Sequence, residues 1–168
     1  MELPVRKATR LADYDYSTPG AYFVTICTQN RRPILGHIVG GGAFDAPHMC
    51  LTAAGKTVYQ CIISGNKLPG ITVDKFVIMP NHIHMILLVD ETNQIGTSKA
   101  PSPTNAAIPQ FISVFKRFCH RDIGNVIFQR SYHDHIIRNE ADYLKIWEYI
   151  ENNPARWKED CFYEEILI

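Results

Sequence analysis

Apolar side chains recur along this chain in two rhythms, alternate positions in some stretches and helical spacing in others, and the rhythms change at turn signals. The run AYFVTICTQ, residues 21–29, is rich in β-branched and aromatic residues and follows Thr18-Pro19-Gly20, so it predicts a buried strand. After Arg31-Arg32-Pro33, ILGHIVGG and then GGAFDAPHM predict a second strand or hairpin arm with a loose glycine- and proline-bearing loop. Thr52 is suited to cap a helix carrying Val58, Cys61, Ile62 and Leu68 at roughly helical spacing and ending before Asn66 and the Pro69-Gly70 turn. ITVDKFVIMP and HIHMILLVD, separated by little more than Asn81, predict an antiparallel strand pair. Residues 91–107 are polar and nearly free of large apolar groups, which predicts a mobile loop. In IPQFISVFKRFCHRDIG, Ile108, Phe111, Ile112, Phe115 and Cys119 form one stripe of a second helix. VIFQRSYHDHIIRN predicts a strand. Asn139 can then cap a last helix, EADYLKIWEYIENN, with Glu140 and Asp142 in its first turn and Pro154 as its stop. The remaining residues predict a covering segment.

Strand, helix, strand, strand, helix, strand is the order of the ferredoxin-like split βαβ, here with one more helix appended. The expected fold is therefore α+β: a ferredoxin-like, RRM-like antiparallel sheet with helices on one face and an added C-terminal helix. With 168 residues the chain fits one domain, 1–168.

Composition narrows function mainly by exclusion. No apolar run approaches the roughly 18 residues of a spanning helix, and MELPVRKATRLADYDY lacks the apolar core of a secretory signal, so a cytoplasmic protein with no membrane partner is expected. Five cysteines without CxxC spacing argue against a disulfide framework and against a thiolate zinc site. The formal net charge is zero, so any contact with nucleic acid must come from a local basic patch.

Two short patterns carry chemistry. His82 and His84 in NHIHMILL are two apart on a predicted strand, so both imidazoles point to one face and can converge on one ion. The same spacing serves two hydrogen-bonded surface histidines, and it alone does not choose. Tyr149 and Asn153 are four apart on the last predicted helix and share a face; alone, the pair reads as well as boundary packing. A second such spacing, His133 and His135 in SYHDHII, encloses Asp134 rather than an apolar residue and ranks below the first. His37, His48 and His120 read as surface groups.

Taken together, MPNHIHMILLV, FQRSYHDHIIRN about 45 residues later and EYIENNP resemble the HUH single-tyrosine transposases, in particular the REP-associated tyrosine transposases and their insertion-sequence relatives. DYSTPGAYFVTICTQNRR resembles the same group, so the likeness runs from about Asp15 to Pro154. The resemblance implies that His82 and His84 are paired metal ligands, Tyr149 the nucleophile and Asn153 a third ligand. It also implies a divalent metal, Mg²⁺ or Mn²⁺, for which an amide oxygen is a suitable hard donor. Asp134 and His135 match the family's pattern and would support the site. Phe128 stands where many relatives carry tryptophan, and GGGAFDAPHM is an insertion typical of only some of them.

The implied activity is metal-dependent cleavage and joining of DNA through a covalent 5′-phosphotyrosine. The implied partner is single-stranded DNA, often with a hairpin near the cleavage point. Lys116, Arg117 and Arg121 on the second predicted helix, with Gln129, Arg130 and Arg138 around the following strand, are candidate DNA contacts. Arg31 and Arg32 are candidates to extend that surface. Family members are often dimers, although monomeric relatives exist; the strand AYFVTICT could lie at a sheet edge and pair across a two-fold axis, or lie centrally. The competing function class is a domesticated nucleic-acid-binding module of the same fold without catalysis. A structural zinc site is disfavoured because no cysteine accompanies the histidines at zinc-ligand spacing.

Overall fold

The computed structural model describes residues 18–42, 45–65, 69–91 and 106–163. Leu68 and Asn66, almost all of the expected 91–107 loop and the last five residues lie outside them. Its strands are β1 (Gly20–Cys27), β2 (Gly36–Val39), β3 (His48–Leu51), β4 (Ile71–Ile78), β5 (His82–Val89) and β6 (His133–Ile137). The helices are α1 (Ala53–Gly65), α2 (Ala107–Ile123) and α3 (Glu140–Asn152). Among the described residues, no helix is long and apolar enough to cross a membrane.

Four strands form an antiparallel sheet in the order β4-β5-β1-β6, and β2 and β3 form a separate hairpin. This is the expected split βαβ arrangement, because α1 carries the chain from β1 past β5 to the edge strand β4. β1 is central, between β5 and β6, which settles that strand's place in the sheet.

The sheet has two different faces. Tyr22, Val24 and Ile26 of β1 and Ile83, Met85 and Leu87 of β5 point to one face, where α1 and α2 close the main core with Val58, Ile62, Phe111 and Phe115. The alternate residues point the other way. There Ile86 meets Ile146 and Ile150 of α3, with Phe23 and Val77 beside them. The appended helix thus covers the second face rather than joining the first two.

Local signals account for the element ends. Thr52 Oγ1 accepts from the Gly55 N–H at 3.1 Å and caps α1, and Asn139 Oδ1 accepts from the Asp142 N–H at 2.9 Å and caps α3. α3 is also tied to β4 by the Lys75–Glu151 ion pair and the Tyr143–Asp74 hydrogen bond.

The expected strand over VIFQRSYHDHIIRN is only half realised: β6 begins at His133. Before it, Phe128 makes a single bridge to Thr28. Lys116 supplies the physical reason. It is buried on α2 and its ammonium donates to the carbonyls of Gln129 (2.7 Å), Arg130 (3.2 Å) and Ser131 (3.1 Å), taking acceptors that a strand would have offered to a neighbour.

Candidate metal centre and nucleophile

His82 and His84 open β5 on the face covered by α3. Both are essentially removed from solvent, at 0% and 1% exposure, and their Nε2 atoms face one another at 2.9 Å. Each ring is held from behind. Asn81 donates its amide N–H to the Phe162 carbonyl at 2.8 Å, which turns its Oδ1 toward His82 Nδ1, also at 2.8 Å. Nδ1 must then carry the proton and Nε2 the lone pair. On β1, Thr25 Oγ1 lies 2.8 Å from His84 Nδ1 and can hold that ring in the same tautomer. Phe23 stacks on His84 with centroids 5.1 Å apart.

Two further elements complete the pocket. α3 presents Tyr149, whose hydroxyl lies 3.2 Å from His84 Nε2 and donates to Asp160 Oδ2 at 2.7 Å. One turn later Asn153, 2% exposed, donates its amide N–H to the same oxygen at 2.8 Å. The chain after α3 folds back through a 3-10 turn at Trp157–Glu159 and inserts Asp160. Its Oδ2 lies 4.0 Å from His82 Nε2 and 3.9 Å from His84 Nε2, and its Oδ1 accepts from the Phe162 N–H at 2.7 Å.

The electrostatics of the cluster follow from burial. Burial pushes His82 down to about 2, helped by the neighbouring His84, and burial likewise lowers His84 against the pull of Asp160. Both are neutral, lone-pair donors at neutral pH. Burial would raise the Asp160 carboxyl, but the adjacent His84 ring and hydrogen bonds from the Phe162 N–H, Asn153 and Tyr149 outweigh it and hold the group below the usual carboxylate range. Tyr149 is pushed well above the ordinary phenol value, first by burial and then by its hydrogen bond to the Asp160 carboxylate.

The residues fit a divalent cation. Two imidazole nitrogens and a carboxylate oxygen lie within 4.8 Å of one another, and His82 Nε2 is left with an unprotonated lone pair aimed at His84. The buried Oδ1 of Asn153 has no hydrogen-bond partner among the described residues, an unmet acceptor of the kind a cation satisfies. A mixed nitrogen and oxygen donor set without sulfur suits Mn²⁺ or Mg²⁺.

The structure therefore brings His82, His84, Tyr149 and Asn153 together. It gathers the supporting pair less closely. Asp134 is opposite Val24 in the β1–β6 register, on the α1/α2 side of the sheet, while His135 is exposed and pairs with Asp142 at 2.9 Å. The candidate DNA contacts also separate. Arg117, Gln129 and Arg130 line one cleft of about 760 Å³ against α2, whereas Arg121 pairs with Asp122 beside α1 and Arg138 precedes α3. Lys116 is committed to its three carbonyls, and burial lowers it to about 8.

Sequence reasoning missed Asp160, Asn81 and Thr25. A polar Thr25 inside an otherwise apolar strand, on the same alternation as Phe23, was a usable signal. Asp160 had none, because it sits in an aperiodic segment and reaches the site only through a turn.

No protein-family model matches the chain. An uncharacterized protein of Haemophilus influenzae is 34% identical over 174 residues, spanning 94% of this chain and 93% of that protein. The REP-associated tyrosine transposase of Escherichia coli K12 is 24% identical over 141 residues, 84% of this chain and 70% of that protein. Among solved structures, a REP-associated tyrosine transposase bound to a REP hairpin matches with a TM-score of 0.62 at 22% identity, over 88% of this chain and 73% of that chain, a likeness of fold. The chain belongs to one family with the Haemophilus influenzae protein, and in motif pattern and fold it resembles the HUH single-tyrosine transposases of the REP-associated kind.

Proposed function

We propose that this protein is a transposase: a metal-dependent single-strand DNA endonuclease and strand transferase in which Tyr149 forms a covalent 5′-phosphotyrosine intermediate. The observation that carries the reading is the convergence of the Tyr149 hydroxyl on the buried imidazole pair, 3.2 Å from His84 Nε2. The E. coli relative's name and the hairpin held by the solved REP-associated transposase support a DNA substrate; the substrate proposed here is single-stranded DNA with a hairpin near the cleavage point.

His82, His84 and the oxygens of Asn153 and Asp160 would hold the cation, Mg²⁺ or Mn²⁺. Bound there, the ion would neutralise the non-bridging oxygens of a phosphodiester and favour the deprotonated phenol. The chain does the rest. Because burial keeps both histidines neutral, they are ready as ligands without first losing protons. Tyr149, 39% exposed, is open to a strand laid over α3. Its oxygen bonds to phosphorus as the bond from phosphorus to the 3′ oxygen breaks; the phenolic proton passes to water and the departing 3′ oxygen takes one up. Another 3′-OH can reverse the step at a new junction, so joining requires no nucleotide cofactor. Asp160 is a ligand and an orienting group rather than the base, because its carboxyl is held too acidic to keep a phenolic proton.

The test is incubation with labelled single-stranded DNA from the flanks of the protein's own gene, with Mn²⁺ or Mg²⁺ and again with EDTA, on denaturing gels. A metal-dependent covalent adduct, absent in Tyr149→Phe, is expected. Binding without any adduct would favour the non-catalytic binding module instead.

A further inference from the structure

A cleft of about 1080 Å³ opens beside the candidate centre and takes no part in the chemistry described above. Residues of the β2–β3 hairpin line it together with residues 154–159 and Tyr163 of the segment that delivers Asp160, and with Pro80 and Asn81. Its volume exceeds the roughly 300–1000 Å³ that a single small ligand fills. We propose that this cleft holds the single-stranded flank of the DNA substrate as it leaves the reacting phosphate. The choice of ligand rests on the function proposed above.

Three observations point to a strand of nucleic acid. Among the described residues the lining is basic in a chain whose formal net charge is zero: Arg31, Arg156 and Lys158 stand against one acid, Glu159. The aromatic rings of Trp157 and Tyr163 lie among these cations, 5.3 Å apart and edge to face, giving π surfaces for bases beside charges for phosphates. The cleft also adjoins the centre through its wall, since the Trp157 ring that lines it lies 5.8 Å from the His82 ring and Asn81, another lining residue, bonds both His82 and the Phe162 carbonyl. The backbone supports this arrangement: Asn30 and Arg31 both take left-handed φ values, 54° and 52°, which non-glycine residues adopt at a cost. That turn sets the Arg31 guanidinium, which lines the cleft, 5.4 Å from the Phe162 ring.

The test separates strand binding from chemistry by working in a Tyr149→Phe background. Binding of a fluorescein-labelled oligothymidylate of about twenty nucleotides is followed by anisotropy over a range of NaCl concentrations. Replacing the exposed pair, Arg156→Ala with Lys158→Ala, is expected to reduce the slope of log affinity against log salt by about 1.4, that is about 0.7 for each phosphate no longer neutralised. Trp157→Ala is expected to weaken binding about tenfold with the slope unchanged. Trp157→Phe, which keeps a ring against His82, should restore most of it, and thermal melting checks folding. Affinity and slope unchanged in the Arg156/Lys158 variant would overturn the proposal. If that result came with a normal adduct in the wild-type protein, the catalytic reading would stand and only the cleft would fall. If the variants lost binding while the wild type formed no adduct on any flank substrate, the cleft would stand and the catalytic reading would fall.

Discussion

The chain contains the same two-residue histidine spacing twice, on β5 and on β6, and the two pairs share a face of one sheet. His84 is opposite Thr25, and Thr25 in turn is opposite His133, so one row across three strands holds a member of each pair. Phe162 lies near both pairs, but their burial differs. β5 is flanked by β4 and β1 and roofed by α3 and the 154–163 segment, so His82 and His84 are buried, oriented through Nδ1 and joined by Asp160. β6 is an edge strand; His133 and His135 are exposed, and His135 forms a surface pair with Asp142. A spacing sets only the direction of two side chains. Burial, a fixed tautomer and a third donor make a direction into a site.

The largest break in this comparison comes from the nucleophile: Tyr149→Phe removes the hydroxyl while keeping the ring against Phe23 and His84, and covalent adduct on denaturing gels should vanish. Next come the ligands. His84→Ala should lower metal-dependent cleavage by at least about a hundredfold, whereas His133→Ala should leave it within about twofold. The supporting shell follows: Thr25→Val, which removes the oxygen behind His84, should weaken Mn²⁺ binding by about tenfold or more in calorimetric titration.

A pH prediction sharpens the same contrast. The buried pair stays neutral in the folded protein far below 6.5, where the unfolded chain takes up protons. In EDTA the stability is therefore full above about pH 6.5 and falls as pH drops through that value, at up to about 1.4 kcal/mol per pH unit for each histidine. Urea unfolding between pH 7 and 4.5 should show this slope reduced in His82→Gln. The smallest effect belongs to the edge strand. Asp142→Asn, which breaks the exposed His135 pair, should leave the urea midpoint almost unchanged in the same assay.

The scaffold was largely legible in the sequence because its elements are strongly periodic. ITVDKFVI and HIHMILLV are strands, the Ile108–Cys119 stripe faces the core, and Asn139 caps α3 as its side chain allows. The resemblance of the motifs to REP-associated transposases pointed to the same fold. What stayed hidden depends on tertiary contacts. Lys116 reads as one more cation beside Arg117, and only the packing of α2 against residues 129–131 makes it an internal ammonium. Asp160 lies eleven residues beyond Tyr149, with no periodicity to tie it to β5. The two histidine pairs look alike because strand position within a sheet is set by pairing, which local pattern does not specify.

The difference between the pairs is tested most directly by calorimetric titration of Mn²⁺ into the wild-type protein and its single histidine variants. One ion per chain is expected, with binding lost in His84→Ala and kept in both His133→Ala and His135→Ala. Binding that survived His84→Ala, or that disappeared with His133→Ala, would contradict the assignment of the centre to β5.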